Sequence, residues 1–94
     1  MILKIAVGVT STLIQAAQER RVLVLQNQSD TDIYIALDGS SDVTVDSGAK
    51  PGIKITPGGA YLATRENLGE TALSLALYAI HGGTGTKNLV CHII

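Results

Sequence analysis

Residues with turn chemistry punctuate this chain at intervals too short for helices. Gly, Asn, Asp, Ser and Pro gather at 8–11, 27–32, 38–42, 47–52, 57–59, 67–70 and 82–88, and the segments between are mostly five to ten residues long. A chain that must reverse this often has room for strands of ordinary length but not for helices of several turns. The spacing predicts an all-β sandwich or barrel, and the architecture expected is a jelly-roll-like or related β-sandwich of about eight short antiparallel strands. Ninety-four residues make one such domain, spanning 1–94, with a thin two-layer core.

Side-chain periodicity supports the strands. In 32–37, Ile33, Ile35 and Leu37 fall on one face, while Asp32, Tyr34 and Ala36 fall on the other. In 21–25 both faces are apolar, Leu23 and Leu25 backing Val22 and Val24, as in a central strand covered on two sides. The second cover is expected to be another protomer. Ile53 and Ile55 alternate with Lys54 and Thr56 and stop at Pro57-Gly58-Gly59, which reads as a half-exposed strand. Segment 73–80 alternates Leu73, Leu75, Leu77 and Ala79 with Ser74, Ala76, Tyr78 and Ile80, and 89–94 is a final apolar strand with a buried C-terminus. Two segments carry competing helix signals: 12–21 has good helix formers behind a Ser or Thr cap, and 71–79 is rich in Ala and Leu. The apolar N-terminus has the look of a signal peptide, but Gly8 and the cluster Thr10-Ser11-Thr12 interrupt it and no basic region precedes it. It is read as a strand. No stretch reaches the length of a membrane-spanning helix.

Composition narrows the function. Hydrophobic residues make up 46% of the chain and charged ones only 16%, against a usual charged fraction of about 25%. So small a body has difficulty hiding that much apolar surface, so part of it is expected to face a partner subunit. Seven basic residues against eight acidic ones give a formal charge of -1, which provides no field for drawing the protein to nucleic acid or anionic lipid. Cys91 is the only cysteine and makes no internal disulfide.

Chemical motifs are sparse. His81, Cys91 and His92 are soft ligands, but they lack a fourth member and the spacing of a zinc site; adjacent residues 91 and 92 also point to opposite faces of a strand, which separates a nucleophile from its base. The aspartates of 30–32 and 38–46 do not follow an EF-hand pattern and read as turn residues. Segment 82–87, GGTGTK, lacks the Gly-Lys pair and the following helix of a phosphate loop and reads as a hairpin connection. Asn27-Gln28-Ser29 matches a glycosylation sequon, a match that carries weight only in a secretory pathway. No acid, base and nucleophile occur at a catalytic spacing, so no enzymatic activity, cofactor or metal is expected. Contact residues are expected instead at Arg21, Val22, Val24, Tyr34, Tyr61 and Arg65, Tyr34 foremost, because interfaces favour tyrosine and because Arg20, Arg21 and Arg65 with Glu19 and Glu66 are the clustered charges.

One pattern extends over most of the chain. Arg21, the alternating Leu23 and Leu25, Gln26-Asn27, a polar turn and Asp32-Ile33-Tyr34-Ile35 are followed by Gly52-Ile53-Lys54-Ile55, Pro57-Gly58-Gly59 and two terminal apolar strands. This resembles small structural proteins of tailed-bacteriophage virions, although no single motif in it is specific and the chain contains neither Phe nor Trp. The resemblance implies a β-sandwich, often of jelly-roll type, placed on the virion as a capsid decoration or cement protein. It implies the major capsid protein as partner, together with copies of the chain itself as a homo-oligomer, most plausibly a trimer. Assembly would take place in the host cytoplasm. A neck, tail or fibre module is the alternative within the virion, and a carbohydrate-binding sandwich is the alternative outside it, weakened by the scarcity of aromatic residues on which sugars stack.

Overall fold

The computed structural model describes residues 1–64 and 74–94. Eight strands form in chain order: β1 (Ile2–Val7), β2 (Thr12–Gln15), β3 (Val22–Asn27), β4 (Ile33–Ala36), β5 (Ile53–Ile55), β6 (Ala60–Thr64), β7 (Leu77–His81) and β8 (Lys87–Ile93). They make two four-stranded sheets, ordered β1-β8-β3-β6 and β2-β7-β4-β5, and every strand pairing is antiparallel. First pairs with last, second with seventh, third with sixth and fourth with fifth, as though one long hairpin had been wound round a core. The result is an all-β, sandwich-like arrangement of two sheets. No helix occurs among the described residues, and 12–21 opens as β2 and continues as irregular chain. The rival helix signal of 71–79 falls partly outside the described residues; within them, the strand begins only at Leu77.

The core lies where the inward faces meet. Leu23 and Leu25 of β3, Ile33 and Ile35 of β4, Leu77 and Ala79 of β7, and Leu89 and Cys91 of β8 are all buried there. Alternation therefore places the inward residues of these strands correctly, but two expectations need correction. Tyr34 and Ala36, placed by period on an open face, are buried too, because the 37–52 connection folds back over the outside of the second sheet. Leu37, expected with Ile33 and Ile35, lies past the end of β4 and is only partly buried against the core. Gly52 permits the fold-back: a Cβ there would meet the backbone N and O of Ile35 at 2.8 Å, closer than any side chain tolerates.

Polar anchors tie the layers. Asn27 is fully buried at the end of β3, and its amide makes four hydrogen bonds. Nδ2 donates to the carbonyls of Thr31 and Ile55, each at 2.8 Å, while Oδ1 accepts from the Ser29 amide at 3.0 Å and the Ser29 hydroxyl at 2.6 Å. Its main chain adds a bond to Gly59 O and another from the Gly58 amide. One side chain thus joins β3 of the first sheet to β5 of the second and shapes the turn between β3 and β4. The sequon at Asn27-Gln28-Ser29 is accounted for structurally, since an amide committed in this way is closed to glycan transfer in the folded protein. Arg20 corrects another expectation. Grouped by sequence with the clustered charges of a contact surface, it is instead buried, with Nη1 donating to Leu75 O at 2.8 Å and Nη2 to Ala16 O at 2.7 Å. Burial lowers its pKa from the ordinary guanidinium value.

Two predictions follow from these anchors. Replacing Asn27 with Asp removes both donors and sets a carboxylate against two carbonyls, so urea denaturation is expected to show a loss of about 3 kcal/mol or more. Burial pushes the Cys91 thiol up to about 11. Above about pH 9 the unfolded chain then releases a thiol proton that the folded chain retains, so stability falls as pH rises toward 11, with a slope approaching 1.4 kcal/mol per pH unit from this group. Denaturation midpoints measured from pH 8 to pH 11 are expected to fall, and Cys91→Ala is expected to flatten the decline.

Candidate interaction surface

The two outer faces of the sandwich differ in cover. Over the β2-β7-β4-β5 sheet, the 37–52 connection buries Tyr34, whose hydroxyl donates to Asp46 Oδ2 at 3.2 Å. Desolvation, reinforced by the Asp46 carboxylate, raises the tyrosine pKa. Lys54 beside it bridges Asp46 at 3.2 Å and Asp32 at 4.0 Å, and its hydrogen bond to Asp46 raises its pKa. These groups hold a loop down on a sheet.

The outward side of the β1-β8-β3-β6 sheet is more open: Val90 in its middle is buried, but several of the outward residues around it are exposed. Strand register brings Ile2, His92, Val24 and Leu62 into one row across all four strands. Val22 and Thr64 lie in the next row, with Ile94 beyond the end of β8, and Lys4, Val90, Gln26 and Ala60 lie in the row on the other side. Ile2 is 68% exposed, Leu62 56% and Ile94 73%, whereas Val22 and Val24 are half-buried by their neighbours. Alternation forces this arrangement: Leu23, Leu25, Cys91 and Ala63 point inward, so the residues between them must point out, and several of these are aliphatic. Arg21 is exposed at the start of β3, and Lys4 is exposed on β1. Among the described residues, no carboxylate lies on this face.

The sequence-derived contact residues separate accordingly. Val22 and Val24 belong to the open face, and Arg21 is exposed just ahead of β3. Tyr34, the foremost candidate, lies beneath the loop on the opposite side and is 7% exposed, so it contributes little contact area. Tyr61 points between the sheets, packs on the core and lines a cleft of about 550 Å³ at the β5–β6 flank together with Ile35, Leu37, Val43, Ile53 and Leu75. Arg65 lies outside the described residues. Leu62, Ile2 and Ile94 were missed, and their signal was period two carried through whole strands: once Tyr61 and Ala63 face inward, Leu62 must face out.

The remaining candidates resolve into structural roles. His81 ends β7 fully buried, with Nδ1 accepting from the Gly83 amide at 3.1 Å and Nε2 lying 2.7 Å from Gly85 O. Because a carbonyl only accepts and an amide only donates, the ring sits as the Nε2–H tautomer and shapes the 82–86 turn. Cys91 faces the core and His92 the opposite side, so the three soft ligands do not converge. Lys87 at the base of this turn reaches Asp30 at 2.9 Å, and that bond holds the Asp30 carboxyl below the usual range. Asp38 Oδ1 accepts from the Ser40 amide at 3.0 Å, a turn-forming contact.

Comparison with known proteins finds no family model, no curated protein and no solved structure that matches this chain.

Proposed function

We propose that this chain is a structural assembly protein of a tailed-bacteriophage virion, a capsid decoration or cement protein that binds the major capsid protein through its open sheet face. The observation that carries this reading is the set of outward aliphatic residues Ile2, Val24 and Leu62, in one row with His92, with Val22 and Ile94 beside it. A flat, rigid sheet with outward aliphatic side chains suits docking onto a larger protein surface. Stable association needs about 800 Å² per partner, and a lattice repeats even a weak contact at every subunit junction. The resemblance of the strand pattern to virion proteins supports the same reading, as does the low charge of the chain.

Purified protein mixed with undecorated phage heads is expected to co-sediment in proportion to the capsid subunits. Leu62→Asp, which places an unpaired carboxylate on an already exposed position, is expected to fold normally and to lower that binding by tenfold or more. Absence of co-sedimentation of the wild-type chain removes the proposal. A handful of copies localised to one vertex supports the neck or tail module instead.

A further inference from the structure

The geometry points to β1 as a self-pairing edge, through which two copies of this chain join their β1-β8-β3-β6 sheets into one eight-stranded sheet. Of the four edge strands, β1 is the longest among the described residues, with six. Three-residue β5 is bounded by Pro51 and Pro57, which cannot donate to a neighbour. β2 is four residues long and its register shifts between Leu13 and Gln15, so its edge is irregular. β6 has five described residues, Ala60–Thr64. β1 contains no proline and pairs with β8 without interruption from Ile2 to Val7.

The flank beside it is apolar. Leu3 and Ile5 point toward the core yet stay only partly buried, Val9 is 52% exposed, and Leu13 on adjacent β2 is 51% exposed. A core that is open along one side is closed by continuing the sheet.

Hydrogen bonding fixes the possible registers. Met1 and Ile93 exchange both main-chain bonds, the Met1 amine to Ile93 O at 2.9 Å and the Ile93 amide to Met1 O at 2.8 Å. Antiparallel alternation then turns Leu3, Ile5 and Val7 toward β8 and leaves the backbone groups of Ile2, Lys4 and Ala6 directed at the free edge. In a two-fold antiparallel pair, these even-numbered residues must face one another. Centring the axis on Lys4 sets Lys4 against Lys4 of the second copy, a like-charge pair that disfavours this register. Centring it on Ile5 sets Lys4 opposite Ala6, Leu3 opposite Val7 and Ile5 opposite itself, which joins the apolar inward rows without opposing charges. Centring it on Leu3 moves the contact to the chain terminus and leaves Val7 unpaired. The second copy is therefore expected in the Ile5-centred register. This symmetry is two-fold, unlike the three-fold oligomer implied by the sequence resemblance, and it does not depend on a virion role.

Ala6 and Lys4 are both exposed, so their replacement leaves the monomer core untouched. Sedimentation velocity over a concentration series is expected to show a reversible dimer. Ala6→Glu, placing a carboxylate opposite Lys4 of the second copy at two symmetric positions, is expected to raise the association constant about tenfold, and Ala6→Lys to lower it about tenfold. The double variant Lys4→Glu with Ala6→Lys is expected to restore it. Mixed Lys4→Cys and Ala6→Cys chains are expected to cross-link under mild oxidation, since directly hydrogen-bonded strand residues stand about 5.5 Å apart, and buried Cys91 does not compete. A monomer at every concentration, insensitivity to all the charge variants, or cross-linking of Lys4→Cys to itself in place of the mixed pair would overturn the inference. Each of these readouts uses the purified chain alone, so failure to bind phage heads leaves it standing.

Discussion

The buried amide of Asn27 is the contact on which the rest of the sandwich depends. Hydrophobic attraction between two sheets is nearly indifferent to how far one slides over the other, whereas hydrogen bonds are not. Asn27 supplies the missing constraint. Its Nδ2 reaches a carbonyl of β5 in the opposite layer, while its Oδ1 holds the turn that carries the chain from β3 to β4. The main chain of the same residue grips the turn between β5 and β6 through Gly58 and Gly59. In a core without phenylalanine or tryptophan, where aliphatic side chains offer many nearly equal packings, a fully satisfied polar network is what selects a single one.

The fold was largely legible because it is written in local chemistry. Turn residues at short intervals imposed strands, and period two sorted Leu23 and Leu25 from Val22 and Val24 without any knowledge of the partner sheet. What stayed hidden is non-local. Nothing near Tyr34 in sequence says that residues 43–47 will return to cover it, since that depends on Gly52 admitting a close approach to the backbone of Ile35. Arg20 likewise reads as one more surface charge until Leu75, far along the chain, brings a carbonyl to it. The candidate surface was half legible for the same reason. Val22 and Val24 declared themselves as excess apolar residues on a central strand, but Ile2 and Leu62 join them only through the order β1-β8-β3-β6, which alternation does not determine.

Covering one sheet and not the other has a physical consequence. Asp46 of the 37–52 connection secures that layer over the second sheet, through contacts with Tyr34 and with Lys54 of β5, and the loop carries further charges of its own in the Lys50–Asp42 pair. The outward rows of the first sheet hold mostly aliphatic and neutral polar side chains, with Lys4 on β1 and His92 on β8. A face of that kind gains by excluding water against another protein, and its weak charge leaves partner choice to shape. Val22 and Val24 in the middle of the sheet are half-buried, while Ile2, Leu62 and Ile94 at the margins are exposed.

The margins and the edge are also linked through β1. Ile2 belongs at once to the open face and to the strand whose outward backbone groups are unpaired among the described residues, so a partner that lengthens the sheet continues the open face by the same step. Two-fold pairing centred on Ile5 would place two such faces side by side on a single continuous surface, related by an axis perpendicular to the sheet. The area presented to a third body then doubles while each chain spends only backbone groups and the apolar flank of Leu3, Ile5, Val9 and Leu13. For a chain of this size, sheet extension enlarges the surface available for recognition without enlarging the chain.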